Sequence, residues 1–358
     1  MTTGPVIRVL VVDDSALIRN LLKSALERHP RISVVGQAVD GMDALQKIGA
    51  LRPDVVTLDV EMPRLNGIGV LERAAGKVPV AFLMVSTLTE SGARVTLDAL
   101  RRGAFDYITK PQGAGAANKG FQALVCQKVL SAAETKGKTR KILTRPGETS
   151  SAPTLPPNSV RGWIVGIGIS CGGPQTLSEV LPIFPSDFVP IIVTQHMPAQ
   201  FTKAFAAQLD GLCAMKVKEA APGDVLQNGQ VYIAPGSHHL KVRRLGTQIT
   251  IDLDAGEKVS GHRPSADVML GSLAKASGAR SVGVIMTGMG SDGARGLVAL
   301  HQAGGWTVAQ DQATSLVYGM PKAAKETGAV DQIAPMLKIP TLVSQLLSRG
   351  PRAGVGAR

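Results

Sequence analysis

The chain has 358 residues, 44% hydrophobic and 18% charged, with a formal net charge of +12. At about 150 residues per domain this length predicts two domains and a joint, and the apolar share excludes wholesale disorder. No apolar run approaches the ~20 residues of a spanning helix, residues 1–5 lack a signal-peptide profile, and the three cysteines (Cys126, Cys171, Cys213) show no metal or disulfide spacing, so a reducing cytoplasm is expected.

In chain order, short β-branched runs at 8–12, 33–38, 55–58, 80–85 and 106–108 alternate with helix-like stretches at 15–28, 42–50 and 92–102. Five strands spaced by helices predict a doubly wound parallel sheet. In such a sheet the carboxyl ends of the strands form the ligand crevice. Asp13 and Asp14 follow the first strand, Asp59 follows the third, Ser86 closes the fourth, and Lys110 closes the fifth. Three converging carboxylates repel one another unless a hard divalent cation sits among them, and Mg²⁺ is expected. With a hydroxyl and an ammonium beside them, the set suits phosphoryl transfer onto Asp59. The bland alternative is that each Asp only caps the next helix.

The stretches "VLVVDDSALIR", "VVTLDVEMPRLNGIGVL", "LMVS" and "DYITKP" occur in the order found in response-regulator receivers, and the chain resembles that family over about residues 6–112. The resemblance implies a flavodoxin-like receiver at 1–115 whose Asp59 is phosphorylated by a partner histidine kinase. It implies Mg²⁺ held by Asp13, Asp14, Asp59 and the Glu61 carbonyl, with Ser86 and Lys110 contacting the phosphoryl group and Tyr107 moving with Ser86.

Residues 116–160 carry 7 Lys+Arg against 2 Asp+Glu, and from 136 onward they are rich in Pro, Ser and Thr. They read as a solvated basic linker, with a helix expected at 121–133. Basic residues are not gathered on a groove-reading helix, and no helix-turn-helix pattern appears, so no nucleic-acid partner is expected. Strands restart at 163–169, 189–195, 230–233, 248–253, 281–287 and 305–309, with helices at 177–181, 201–209, 266–276 and 294–302. These predict a second α/β domain at 161–348 and a frayed tail at 349–358.

"WIVGIGISCGGPQTL" runs from a strand through glycines into a helix and presents Ser170 at the turn. Three readings compete. A dinucleotide cradle needs a third glycine where Cys171 stands, and an acidic residue at a strand end where Asp187 lies between prolines. A helix cap needs only the hydroxyl. A nucleophile needs a base and an oxyanion site. His196 follows an apolar strand and is the placed candidate base; His238, His239 and His262 lie in turns where they line a site or bind substrate, His29 before Pro30 at the end of a receiver helix is too distant, and His301 in a helical stretch is structural. Asp292, in the glycine-rich turn after the strand at 281–287, is the carboxylate that would orient an imidazole.

"GISCGG", "TQHMPAQFT", "VYIAPGSHHL", "HRPSADVM", "TGMGSDGARG" and "GMPKAA" resemble the catalytic domain of the chemotaxis protein-glutamate methylesterases, over about residues 163–347. The resemblance implies Ser170 as nucleophile, His196 as general base, Asp292 as its orienting partner and the Met289 amide as an oxyanion donor. It implies a phosphorylation-activated, monomeric enzyme that acts on a methylated chemoreceptor cytoplasmic domain, also deamidates receptor glutamines, inserts in no membrane, and needs no cofactor for the esterase step. The family usually reads Gly-Ala-Ser-Thr-Gly-Gly; here Ile169 and Cys171 flank the serine, and Cys171 offers a weaker donor than a hydroxyl. Two alternatives follow: Cys171 as nucleophile, or a catalytically inactive paralogue acting as a phosphorylation-controlled binding regulator.

Overall fold

A computed structural model describes residues 4–111, 119–135 and 162–352. The chain divides into two compact units, Met1–Arg145 and Pro146–Arg358, each with its own sheet.

In the first unit β1 (Ile7–Val12), β2 (Ile32–Ala38), β3 (Val55–Asp59), β4 (Ala81–Ser86) and β5 (Asp106–Thr109) form a parallel sheet in the order β2-β1-β3-β4-β5. This is the flavodoxin-like order, whose switch point lies between β1 and β3. Strands β3 and β4 are buried at every residue, as a sheet covered on both faces requires. The helices start on side-chain caps: Ser15, Asp40, Asn66 and Thr89 accept from backbone N–H groups of the following turn.

Helix Lys119–Glu134 falls in the segment read as linker, yet it packs against helix Ala16–Leu26 and strands β3–β5. Val125 and Val129 on it are fully buried and Lys128 ion-pairs with Asp106, so this unit extends past residue 115. The rest of that segment, 116–118 and 136–160, lies outside the described residues.

In the second unit the strands are β6 (Ile164–Ile169), β7 (Ile191–Gln195), β8 (Lys216–Glu219), β9 (Gln230–Ile233), β10 (His239–Leu245), β11 (Gln248–Asp254), β12 (Ser281–Ile285), β13 (Trp306–Gln310) and β14 (Gln332–Ala334). Seven pair in parallel in the order β14-β13-β12-β6-β7-β9-β8, while β10 and β11 form a separate antiparallel hairpin. Strands β8, β10 and β14 were not expected from the sequence, nor were helices Met320–Glu326 and Ile339–Arg349. His239, expected in a turn, opens β10 and is buried. The chain builds outward from β6 on one side and then, from β12, on the other, so the switch point falls between β6 and β12.

The glycines of β6 serve this packing. A Cβ on Gly168 would lie 2.7 Å from Ala266 Cβ and from Ile285 Cδ1, so helix Ala266–Ser277 rests directly on the strand. Close helix–strand contact, not a phosphate cradle, explains these glycines. The tail expected to fray from 349 is held as far as Arg352. That residue donates to the His301 carbonyl and approaches Asp331, and the Trp306 indole donates to the Gly350 carbonyl. Among the described residues no helix is long and apolar enough to cross a membrane.

A piece comprising residues 1–115 should be less stable than one comprising 1–135 by about 3 kcal/mol, since it exposes the surface that covers Val125 and Val129. Urea unfolding of the two pieces measures the difference.

Candidate active site

Strand register sets both sites. In the first unit Val12 pairs with Leu58, Asp59 with Val85, and Ser86 with Thr109, so Asp13, Asp59, Ser86 and Lys110 share one rim. One carboxylate oxygen each from Asp13, Asp14 and Asp59 lie within 4.8 Å of one another. Lys110 Nζ stands 2.7 Å from Asp59 Oδ2 and 2.9 Å from Asp13 Oδ2. Burial, opposed by the Lys110 hydrogen bond and reinforced by Asp13, raises the Asp59 carboxyl to about 6. Burial also works against the Lys110 ammonium, but the two carboxylates outweigh it and hold its pKa above the usual value. Three carboxylates against one ammonium leave a negative excess on hard oxygen donors, which fits a small divalent cation.

A cavity of about 260 Å³ opens here, lined by Asp14, Asp59, Glu61, Ser86 and Lys110 among others. Ser86 Oγ does not engage Asp59. It lies 2.7 Å from Thr96 Oγ1 and 3.3 Å from the Gly92 carbonyl, so its hydroxyl faces helix Glu90–Arg101. Tyr107 is buried, and Lys128 Nζ stands 5.1 Å from its ring centroid while donating to its carbonyl.

In the second unit the ladders run on past the strand ends. Ile169 pairs with Gln195, and His196 N–H then donates to the Ile169 carbonyl at 3.3 Å. Gly168 pairs with Ile285, and Ser170 N–H donates to the Thr287 carbonyl at 2.9 Å. Ser170 therefore lies on the middle one of three adjacent strand ends. A Cβ on Gly288 would come 2.8 Å from Ser170 Cβ, so a side chain there would crowd the serine.

His196 Nε2 lies 2.7 Å from Asp292 Oδ2. The Asp292 carboxylate, 1% exposed, also accepts from Ser265 Oγ (2.6 Å) and from the N–H groups of Ala266 (2.7 Å) and Asp267 (3.1 Å). It thus faces the N-terminus of helix Ala266–Ser277, where the dipole favours negative charge. Burial pushes its pKa up, but the bond from His196 and those from Ser265 and Ala266 prevail and lower it to about 2. Asp292 is ionised at neutral pH. With a carboxylate opposite Nε2, that nitrogen carries the proton and Nδ1 is left as the basic one. Nδ1 is buried and makes no hydrogen bond with the described residues, the Ser170 hydroxyl included. A hydroxyl and an imidazole held apart in a resting site can close on binding.

The Met289 N–H has no partner among the described residues, and its turn is pinned by bonds from Gly319 and Met320 N–H to the Gly288 carbonyl. Cys171 is buried, and its carbonyl accepts from Thr287 Oγ1. Ile169 is buried in the sheet. Two further side chains complete the site. Gln195 Nε2 donates to the Ser170 carbonyl at 3.0 Å and fastens the turn that carries Ser170. His262 stacks on His196 with ring centroids 3.7 Å apart and planes 5° apart. The sequence had suggested no role for Gln195 and left His262 as one of three turn histidines.

Residues 165–343 match the CheB methylesterase family, and residues 9–119 match the response regulator receiver domain. The chain is 43% identical to a protein-glutamate methylesterase/protein-glutamine glutaminase of Pyrococcus abyssi over 344 residues, 95% of this chain and 94% of that protein. It belongs to the CheB methylesterase family. With protein-glutamate methylesterase/protein-glutamine glutaminase 1 of Caulobacter vibrioides the identity is 47% over 332 residues, 91% and 94% of the two chains. The crystal structure of the Thermotoga maritima CheB methylesterase catalytic domain superposes with a TM-score of 0.51 at 40% identity, over 52% of this chain and all of that one.

The lowered pKa of Asp292 carries a stability signature. The folded carboxyl titrates near 2 against an ordinary 3.8, so its contribution is complete above about pH 4 and is lost as the pH falls through 2. In Asp292→Asn this contribution, about 2 kcal/mol, should be missing, and stability should fall less steeply than in wild type between pH 4 and 2. Urea unfolding of both proteins across that range is the measurement.

Proposed function

We propose that this protein is a phosphorylation-controlled serine hydrolase that removes methyl groups from glutamate γ-methyl esters of a chemoreceptor cytoplasmic domain. It also deamidates receptor glutamines. The observation that carries the reading is the buried His196–Asp292 pair, 2.7 Å apart on the rim that also bears Ser170.

The chemistry follows from the rim. Nδ1 of His196 takes the Ser170 hydroxyl proton as Oγ attacks the ester carbonyl, and the imidazolium formed is stabilised by Asp292. The Met289 N–H donates to the oxyanion. The proton passes to the methoxy group, methanol leaves, and a glutamyl ester on Ser170 remains. A water molecule, deprotonated by His196, then releases the glutamate and restores the serine. With a glutamine substrate the leaving group is ammonia. His262, stacked on His196, keeps the ring in plane through both steps.

Control lies in the first unit. A histidine kinase supplies the phosphoryl group to Asp59. Asp13, Asp14, Asp59 and the Glu61 carbonyl would hold Mg²⁺, which when bound would supply positive charge against the carboxylates and the phosphoryl oxygens. Lys110 pairs with the phosphoryl group. Ser86 turns from Thr96 toward it, and Tyr107 follows. Phosphorylation of Asp59 shifts the population of the protein toward the form active as an esterase. The enzyme works as a monomer in the cytoplasm.

Methanol release from methylated receptor, measured with and without a small-molecule phosphodonor, tests both halves. Ser170→Ala should lower the rate by ~10³-fold or more, and Asp59→Asn should keep the basal rate but lose the stimulation. An undiminished rate in Ser170→Ala would sink the reading, and if Cys171→Ala lost the rate instead, the thiol would be the nucleophile. Ammonia release from glutamine-bearing receptor reports the second activity. His262→Ala should lower kcat by about three- to ten-fold, in keeping with the worth of one ring stack, with KM little changed. Deleting residues 1–145 should raise the basal rate, and an unchanged or lower rate would count against inhibition by the receiver.

A further inference from the structure

The two helices flanking the rim lack side-chain caps of their own. Ser265 before helix Ala266–Ser277 and Gly293 before helix Ala294–Gln302 make no side-chain cap bond. Each helix start is capped instead by a carboxylate from the other segment. Asp292, just before the second helix, accepts from Ala266 and Asp267 N–H at the start of the first. Asp267, in the first turn of the first helix, accepts through Oδ1 from Gly293 and Gly296 N–H, both at 2.9 Å, at the start of the second. The bonds close a ring: Asp267 N–H serves the Asp292 carboxylate, and the Asp267 carboxylate serves the N–H of the residue next to Asp292. The helices approach closely enough for this because Gly296 has no side chain; a Cβ there would lie 3.0 Å from Asp267 Cα.

Outside the ring, Asp267 Oδ2 accepts from Ser260 Oγ at 2.9 Å and Arg295 Nε at 3.1 Å, and Arg295 also reaches Ser260 Oγ. Two buried carboxylates lie on neighbouring helix starts, where like charges repel. Each is balanced by the dipole and free N–H groups of the opposite helix. Moving either one deprives the other of its donors.

We propose that Asp267 is a positioning residue for the hydrolase: by holding Gly293 and Gly296 it fixes the loop that aims Asp292 at His196 Nε2. This rests on the esterase reading for its kinetic consequence, and on the His196–Asp292 geometry alone for its spectroscopic one. Asp267 touches no substrate and has no part in proton transfer.

The test uses the full chain and two readouts: the far-downfield proton resonance of the His196 Nε2–H, and kcat and KM for methanol release. Loss of the resonance in Asp292→Ala assigns it. Asp267→Ala should shift or broaden that resonance and lower kcat by ~10²-fold, the size of effect a displaced catalytic group produces, with KM within about two-fold. Asp267→Asn keeps an oxygen for Gly293 and Gly296 and should restore most of both. As a control, Asp331→Ala removes a carboxylate that binds Thr307 N–H and hydroxyl at the opposite end of the sheet. It should lower the melting temperature while leaving resonance and kcat in place. If Asp267→Ala does not fold, Asp267→Ser, whose short hydroxyl cannot span both N–H groups, is read in the same way. A wild-type resonance and rate in Asp267→Ala, or in Asp267→Ser where it stands in, would overturn the proposal, as would an equal effect from Asp331→Ala. A wild-type chain that released no methanol would overturn the esterase reading and leave the resonance test standing.

Discussion

A buried negative charge has to be satisfied where it stands, and the Asp292 carboxylate is the charge around which the C-terminal unit is arranged. It is 1% exposed and takes bonds from a helix start, a serine hydroxyl and one imidazole. A carboxylate left short of donors in such a place costs several kcal/mol, so its partners hold it and it holds them. The imidazole is the one partner with a second face to offer. Fixing one nitrogen of His196 against Asp292 decides its tautomer, and so decides which nitrogen is basic. The same requirement for satisfaction that stabilises the fold orients the imidazole.

The two units apply one architecture to opposite electrostatic ends. Both set chemical groups at the carboxyl rim of a parallel sheet, and both use register to bring residues from distant segments side by side. In the first, three carboxylates crowd around a single ammonium, and the Asp59 carboxyl rises to about 6. That arrangement calls for an added cation. In the second, one carboxylate is over-supplied with donors and falls to about 2. That arrangement needs no metal to keep its charge. Burial raises both, and the difference is set by the charges and donors around each carboxylate, with Asp13 raising Asp59 and His196, Ser265 and Ala266 lowering Asp292, not by the sheet beneath them.

What the sequence disclosed follows from the same division. Strands buried on both faces, such as Val55–Asp59 and Ile164–Ile169, stand out as β-branched runs, and the residue that ends or follows each run is placed with them. Asp59, Ser170 and His196 were legible for that reason. Lys216–Glu219 and Gln332–Ala334 are short strands at the two sheet edges, and the hairpin strand His239–Leu245 carries exposed Arg243 and Arg244; none shows an apolar run. Gln195 and Asp267 act on backbone groups 25 to 29 residues away, and a backbone N–H leaves no mark in a sequence. His262 meets His196 by ring stacking from a loop without periodicity. Helix Lys119–Glu134 was recognisable as a helix, but its membership of the first unit depends on a packing face that only the fold reveals.

Strand order also explains why the imidazole is used in this orientation. The order β12-β6-β7 places Ser170 on the middle strand, His196 on one neighbour, and the segment bearing Asp292 beyond the other. To meet Asp292, the His196 ring has to pass over the end of β6, and only Nε2, the nitrogen farther from its own backbone, extends that far. Nδ1, nearer the backbone, is left buried and without a hydrogen bond among the described residues. A carboxylate on the histidine's own side of the sheet would have met Nδ1 first and left Nε2 free, the arrangement of the Ser-His-Asp triad whose carboxylate binds Nδ1–H. The chain order Ser, His, Asp and the choice of nitrogen are thus two results of one topology: a sheet that grows outward from the strand bearing the serine, first toward the histidine and then, from the other side, toward the carboxylate.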